Sequence, residues 1–436
     1  LPESVVQIVV PESRSALAFI SCEFYRHPSK ELVLVGVTGT NGKTTTTYLL
    51  ESIFQEAGFK PGVMGTVNYR FGGTTLAAPH TTPEAYEFQS MLRQMRARGV
   101  THVVCEVSSH ALSLHRVDGS HFNAALFTNL SQDHLDFHED FENYFLAKKR
   151  FFTEVLPNSG KYGAAAVMNI DDAYGKRLMN EFMPGGDKRL VTFSLKDPKA
   201  DVFSESFRFS LRGLHAKIKV KKESIFIQSK LLGKFNLMNI LGAISAACSL
   251  DIPKEAIIRG IAKLEQVPGR LDRVEGGDDF LVLVDYAHTD DALKNVLGAL
   301  KAIKKNRIIT VFGCGGDRDR KKRPLMAKAA AQFSDIIIVT SDNPRTEDPK
   351  AIIDEILAGL VEISVPLYVP GKKKGYLVEP DRKSAIEKAI RLAQIGDIVL
   401  IAGKGHEDYQ IVGTTKIHFD DKEIAREVLC SLKKKS

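Results

Sequence analysis

"LVLVGVTGTNGKTTTTYLL", residues 32–50, decides how the chain is read. Residues 32–37 have the apolar, valine-rich character of a buried strand. Glycines at 36, 39 and 42 then open a turn that ends in Lys43 and four threonines. Leu49, Ile53 and Ala57 recur every four residues and Gly58 follows, which predicts a helix stopping near residue 57. Strand, glycine turn and helix in that order make a phosphate cradle. Backbone N–H groups turn inward, and the helix N-terminus adds a dipole that favours an anion. Lys43 is placed to reach the β and γ phosphates of ATP, and the Thr44 hydroxyl to ligate Mg2+. The strict G-x-x-x-x-G-K-T spacing fails, because Val37 stands where its first glycine would be.

Outward from that turn, strand-like runs alternate with helical patterns, as in parallel sheets covered by helices. Residues 100–107 and 124–130 repeat the buried-strand signal. From about 204 to 230 apolar and polar residues alternate, which predicts an antiparallel pair or a small sheet; 237–250 returns to helix. After "EQVPGRLDRV" (265–274) a second α/β series begins. Its strands are expected at 280–285, 307–312, 335–340 and 397–402, and its helices at 293–303, 324–333 and 351–360. At ~150 residues per domain the length suggests about three domains. The glycine and proline near 268 mark a boundary, giving segments 1–31, 32–267 and 268–436.

Composition narrows the function classes. Hydrophobic residues make up 44% and charged residues 26% of the 436, the balance of a soluble globular chain, and no run approaches the ~18 apolar residues that span a bilayer. Five cysteines without CxxC spacing read as buried thiols in a reducing cytoplasm. The net charge of +7 gathers at 318–323, 372–374 and 433–435, runs that read as solvated faces rather than a nucleic-acid surface. A small anionic substrate suits this balance.

A metal-bound nucleotide needs ligands beside the phosphate turn. "CEVSSHALSLHR" (105–116) follows a strand, so Glu106 belongs at a strand's C-terminal end, where open α/β sheets hold ligands. "TNLSQDHLDFH" (128–138) puts Asn129, Asp133, His134 and Asp136 on the same rim. Magnesium prefers oxygen, so Glu106 is the better ligand and His134 the unusual one. Six histidines fall between 102 and 138, but no HExxH or paired CxxC supports zinc. Taken alone, "YFLAKKRFF" (144–152) reads as a surface basic patch on an aromatic-rich helix.

With these residues in hand, a resemblance is plain. "GVTGTNGKTTT", "HTTPE", "EVSSHAL", "TNLSQDHLDFH", "LLGKFNLMN", "PGRLDRV", "DYAHT", "FGCGGDRD", "SDNPRTEDP" and "AGKGHEDYQ" resemble, in this order, the segments of the Mur ligases, and among them the MurE branch. The match runs from about residue 10 to 425. It implies a P-loop-type central domain and a Rossmann-like α/β C-terminal domain, with a truncated remnant of a uridine-binding domain in 1–31. Such ligases form an amide between UDP-MurNAc-L-Ala-D-Glu and an amino acid through an acyl phosphate while splitting ATP.

By that resemblance Gly39, Thr40, Asn41, Gly42, Lys43, Thr44 and Thr45 bind ATP. Asn236 and Asn239 meet the adenine; Arg270, Asp285, Tyr286 and His288 meet the ribose and phosphates. Thr44, Glu106, His134 and Lys148 serve Mg2+, with Lys43, Lys148 and His134 as the catalytic set and Lys148 carbamylated. Thr81, Thr82, Ser108 and Arg116 grip the muramoyl-dipeptide. Arg318, Asp342, Asn343, Arg345, Gly403 and Glu407 bind the incoming amino acid. Arg345, after the proline of "SDNPRTEDP", implies meso-diaminopimelate, since a guanidinium pairs a distal carboxylate through two parallel bonds and L-lysine has none. Two positions depart from the pattern: Asp290 replaces a proline, leaving the local turn open, and Leu114 replaces a glutamine, removing a polar contact. The alternatives are an L-lysine-adding ligase, a folylpolyglutamate synthetase, whose relatives lack "SDNPRTEDP", and a P-loop ATPase acting on nucleic acid. The expected enzyme is a cytoplasmic monomer with no nucleic-acid partner and no membrane insertion.

Overall fold

The structure, a computed structural model, describes residues 6–131, 135–182, 185–276 and 279–433. Two compact units divide the chain. One comprises Leu1–Phe207, Ala216–Gln228 and Met238–Lys263; the other comprises Arg208–His215, Ser229–Leu237 and Leu264–Ser436.

The first unit is built on a sheet of eleven strands among the described residues. Their order is Glu223–Ser229, Gly213–Val220, Val202–Ser210, Arg189–Ser194, Ala165–Asn169, Ala124–Phe127, Val33–Thr38, His102–Glu106, Pro61–Met64, Tyr69–Phe71 and Thr74–Leu76. Val33–Thr38 lies in its interior, parallel to both neighbours, with Val37 opposite Glu106 and Thr38 opposite Phe127. A strand buried on both faces reads as a continuous apolar run, which is why 32–37 was legible. This register brings the C-terminal ends of three strands to one rim. The alternating stretch after residue 200 forms three strands joined by two-residue links, a spacing that permits only antiparallel pairing. They extend the main sheet through Phe193 and Val202 rather than forming a small sheet of their own.

The helix Lys43–Glu56 buries Leu49, Leu50, Ile53 and Phe54 and ends with Gly58 at φ 83°, as its spacing predicts. The helix Lys254–Lys263 approaches it closely. A Cβ on Gly260 would stand 2.5 Å from Ile53 Cα, so only glycine allows the contact, and Ser52 Oγ donates to Gly260 O at 2.7 Å.

In the second unit a six-stranded sheet runs Asp272–Arg273, Leu281–Asp285, Ile398–Ala402, Ile308–Phe312, Ile336–Val339 and Gly375–Val378. All neighbours are parallel except the first pair. The four expected strands are present within two residues of their predicted ends. Apolar clusters cover both faces, one around Leu297, Phe312 and Ile356, the other around Ile386, Ile390 and Val428. Asp290 proves harmless to its turn: Thr289 caps the helix Asp290–Lys301 by accepting from Ala292 N at 3.2 Å. A carboxylate in a first turn complements the helix dipole as well as proline suits the first position. Arg382 and Asp421, both fully buried, form a two-pronged pair at 2.7 and 2.8 Å. No helix among the described residues is long and apolar enough to cross a membrane.

Two buried histidines give the fold a pH signature. His102 stacks on Phe59 with ring centroids 3.9 Å apart, and burial pushes its pKa down to about 4. His406 is pushed to about 4 as well, by burial first and then by Arg270. Unfolded, each titrates near 6.5. Between pH 6.5 and 4 the unfolded chain therefore binds protons that the native chain refuses. Stability is full above pH 6.5 and falls as pH drops toward 4. Urea unfolding at pH 7.5, 6 and 5 is expected to show this decline, with a shallower slope in His102→Phe, which keeps a ring against Phe59 and loses the titration.

Candidate active site

The phosphate turn is held by the neighbouring strand end. Thr128 Oγ1 donates to Asn41 O (2.7 Å), Asn129 O accepts from Thr40 N (2.9 Å), and Asn129 Oδ1 accepts from Asn41 N (2.9 Å). Ser131 N donates to Thr40 Oγ1 at 3.0 Å, and the same hydroxyl meets Tyr144 OH at 3.0 Å. Gly42 is the N-cap of the following helix at φ 90°, so no cap side chain covers the first helical N–H groups. These groups and the inward-facing turn are what an anionic phosphate requires. Lys43 Nζ donates to Gly39 O (2.9 Å) and Thr40 O (2.8 Å), which lays the ammonium across the turn. Thr44 and Thr45 are buried behind it.

Lys148 is not the surface lysine that its basic run left open. It is 1% exposed, and its ammonium donates to Gly39 O at 3.0 Å, the same oxygen that Lys43 uses. Its Nζ also lies 4.5 Å from the Tyr144 ring centre. The helix Phe141–Arg150 carries it inward, with Tyr144 and Phe145 on the same buried face.

Glu106, 1% exposed, ends the strand beside the phosphate-turn strand. Thr66 holds both carboxylate oxygens, through its backbone N–H (3.0 Å) and its hydroxyl (2.9 Å). A Cβ on Gly65 would come within 2.5 Å of Glu106 Oε1, so glycine there makes room for the carboxylate. Thr44 hydroxyl and Glu106 carboxylate are hard oxygen donors, a set that fits magnesium. His134, with Asp133, lies outside the described residues. Among the described residues no group of three or more histidines, cysteines or acids could hold a metal ion.

Thr81, Thr82, Ser108 and Arg116 come together next to Glu106. Thr66 Oγ1 meets Thr81 Oγ1 at 3.1 Å; Thr82 Oγ1 donates to Glu106 O at 2.8 Å and accepts from Ser108 N at 3.1 Å. Arg116 donates to Thr82 O (2.9 Å) and pairs with Glu84 (2.5 Å), while its Nε has no partner among the described residues. A buried donor left unmade is costly, so Arg116 is a strong candidate to meet an anion.

In the second unit Asp285 ends a strand and accepts from Leu271 N (2.6 Å) and Ala287 N (2.8 Å); burial pushes its carboxyl up, against the pull of Arg270. Arg270 lies over the Tyr286 ring at 4.8 Å, and His288 Nδ1 meets Tyr286 O at 2.9 Å. Asn236 donates to Leu232 O at 2.8 Å. Asn239, in the first unit, stands so close to Gly42 that a Cβ there would be 2.2 Å from its Oδ1.

The amino-acid residues form a second cluster. Asn343 donates to Glu407 Oε2 at 3.0 Å, and a Cβ on Gly403 (φ 118°) would stand 2.5 Å from Asp342 Oδ2. Arg345, at φ 52°, donates from its guanidinium to Gly316 O at 2.7 Å. Burial and then Asp342 push the Glu407 carboxyl up, while Lys404, Asn343 and Arg345 pull it down. Arg318 is exposed and donates to Asp317 O at 3.0 Å; a Cβ on Gly315 would meet both Arg345 Nη1 (2.9 Å) and Arg318 Cγ (3.8 Å), so Arg318 borders the cluster at its exposed side. Sequence reasoning missed Thr66 and Lys404. Lys404 sits inside a quoted motif, where a buried lysine between glycines was the available signal.

Residues 37–247 match the Mur ligase middle domain, and residues 269–405 the Mur ligase, glutamate ligase domain. The UDP-N-acetylmuramoyl-L-alanyl-D-glutamate--2,6-diaminopimelate ligase of Geobacter metallireducens is 48% identical over 430 residues, covering 97% of this chain and 83% of the relative. A solved structure of a ligase with the same name aligns with a TM-score of 0.71 at 34% identity, covering 99% of this chain and 86% of the other. The folylpolyglutamate synthase of Mycobacterium tuberculosis aligns with a TM-score of 0.70 at 14% identity, covering 96% and 95%; that likeness concerns the fold alone.

The turn geometry sets a test. Gly42→Ala puts a side chain into left-handed backbone, at a cost of roughly 1–3 kcal/mol, and drives it against Asn239. Calorimetric titration is expected to show ATP affinity reduced about tenfold or more, with the unfolding transition retained.

Proposed function

The chain belongs to the Mur ligase family, and from that membership we propose that it joins meso-diaminopimelate to the glutamate of UDP-MurNAc-L-Ala-D-Glu, splitting ATP to ADP and phosphate. The step belongs to peptidoglycan precursor synthesis, and relatives at 46–48% identity carry the name of this ligase. The observation that carries the choice of amino acid is the cluster of buried Asp342, Asn343 and Gly403 with half-buried Arg345 and Glu407. It offers an acid for an ammonium and a guanidinium for a carboxylate. The reading includes a cytoplasmic, monomeric enzyme, with the phosphate turn of the ATP site in 32–267 and the amino-acid residues in 268–436.

A carboxylate is a poor electrophile at neutral pH, so activation comes first. One oxygen of the glutamate carboxylate attacks the γ phosphorus of ATP. The bond from phosphorus to the β–γ bridging oxygen breaks, ADP leaves, and an acyl phosphate forms. The neutral amine of the diamine then attacks the carbonyl carbon. The tetrahedral adduct loses a proton and expels phosphate, which carries away one oxygen of the glutamate. Such chemistry is mostly positioning and neutralisation of charge.

Residues 39–45 cradle the phosphates, and Lys43 follows the γ group as it transfers. Thr44 and Glu106, with His134 and Lys148 by family analogy, would hold Mg2+, which when bound neutralises phosphate charge. Thr81, Thr82, Ser108 and Arg116 orient the acceptor peptide, the unpartnered Arg116 Nε being suited to an anionic group. Asn236 and Asn239 take the adenine; Arg270, Asp285, Tyr286 and His288 take the ribose and phosphates. Arg318, Asp342, Asn343, Arg345, Gly403 and Glu407 take the diamine, Glu407 its distal ammonium.

Lys148 is assigned a carbamate. As ammonium ions Lys43 and Lys148 share Gly39 O and lie less than about 6 Å apart, which repels by roughly 3 kcal/mol at an effective dielectric of 20. Carbon dioxide adding to the neutral amine, with loss of a proton, replaces that cation by an anion.

Two measurements test these assignments. A coupled assay of phosphate release is expected to show turnover with meso-diaminopimelate and a roughly 10⁴-fold lower kcat/KM with L-lysine. Arg345→Ala should erase most of that preference, and equal rates with both amines in the wild type would reject the diamine. For Lys148, bicarbonate depletion is expected to slow the wild type and its return to restore it. If depletion and Lys148→Ala both leave turnover unchanged, the carbamate is wrong.

A further inference from the structure

Lys404 belongs to none of the groups given a role above, yet it is wholly buried at the centre of the amino-acid cluster. Its ammonium donates to Asn343 Oδ1 (2.8 Å) and Tyr409 O (2.6 Å) and stands 3.7 Å from Asp342 Oδ1. Asn343 Oδ1 also accepts from Ile411 N at 3.0 Å. Two donors on that oxygen leave the amide one orientation, because a flip would face its NH2 against an ammonium and an N–H. The NH2 is thereby aimed at Glu407.

Tyr409 and Ile411 lie in the hairpin of Tyr409–Val412 and Thr415–His418. The same hairpin grips the backbone of Arg345: Arg345 N donates to Ile411 O at 3.1 Å, and Gly413 N to Arg345 O at 2.7 Å. One buried cation thus ties together Asp342, Asn343, Glu407 and the segment that holds Arg345 in left-handed backbone.

We propose that Lys404 is a positioning residue for the diamine, fixing the donor face of Asn343 and seating the hairpin that presents Arg345. This rests on the diaminopimelate reading above. The charged groups facing Lys404 are Asp342, Glu407, Arg382 and Asp421, and Arg382 and Asp421 pair with each other. Lys404 leads the groups that oppose the upward push on Glu407, so its loss leaves Glu407 protonated at higher pH. A protonated Glu407 cannot receive an ammonium.

The test is steady-state kinetics on the full chain, with KM measured separately for meso-diaminopimelate, ATP and UDP-MurNAc-L-Ala-D-Glu. In Lys404→Met the diamine KM is expected to rise about tenfold or more, and preference over L-lysine to fall by a similar factor. The acid limb of kcat/KM for the diamine should move to higher pH, while kcat and the ATP KM stay within about twofold. Lys404→Gln, which keeps an N–H donor for Asn343 and the fold where methionine fails, should recover part of the affinity without restoring the acid limb. Equal rises in all three KM values, or an unmoved diamine KM in both variants, overturn the proposal. A wild-type chain that turns over with another amine and not with diaminopimelate rejects the substrate reading instead, before any variant is made.

Discussion

Thr128 and Asn129 hold the backbone of residues 40 and 41 from the adjoining strand end, and the phosphate end of the molecule depends on that clamp. A glycine-rich turn has too much conformational freedom to stay preorganised alone. Here the parallel register places Thr38 beside Phe127, so the next residues of the neighbouring strand meet the turn. Their hydrogen bonds replace the missing side-chain packing. Gly39 carries the matching constraint: at φ 141°, a Cβ would lie 1.9 Å from Thr128 Oγ1. Clamp and glycine therefore need one another, and the same rim delivers Glu106 from the strand on the other side.

How much of this was legible in the sequence depended on whether an element's partners lie nearby. Interior parallel strands rich in branched residues are readable, because burial on both faces leaves continuous runs such as "IITVF" and "IVLIA", whereas the equally buried "AAVMN" (165–169), with two small alanines, was not read as a strand. Gly375–Val378 escaped notice as a four-residue edge strand after a lysine-rich stretch. The alternation after residue 200 revealed half-solvated strands but not which sheet they join, since period two fixes a face and not a neighbour. At the site, motif residues were readable and their supports were not. Thr66 supports Glu106 across 40 positions, and Lys404 supports Asn343 across 61. Lys148 was ambiguous from its own neighbours: two further basic residues after it leave a surface lysine open, and the buried helix face closes that alternative.

The two ends of the reaction use different physics. On the proposed reading, the phosphate end would rely on backbone N–H groups, a helix terminus and the ammonium of Lys43, a recognition of charge and shape compatible with Val37 in place of a glycine. The amino-acid end relies on side-chain charges removed from water, where each unpaired group is expensive. That difference explains why supporting residues such as Lys404 accumulate there.

Charge balance in the buried cluster also bears on which amine fits. Arg382 and Asp421 compensate each other, leaving Asp342 and Glu407 against Lys404 and Arg345. The free site is thus near neutrality, with one acid and one guanidinium available for new partners. The distal end of meso-diaminopimelate brings an ammonium and a carboxylate together, so on the proposed reading it would meet Glu407 and Arg345 at once and add no net charge. L-lysine brings the ammonium alone. It would pair Glu407 and leave the half-buried Arg345 without an anion, forgoing the two parallel charge-assisted bonds that a distal carboxylate would make. On the proposed reading, discrimination would follow from the site's own neutrality and would need no steric barrier against the smaller amino acid.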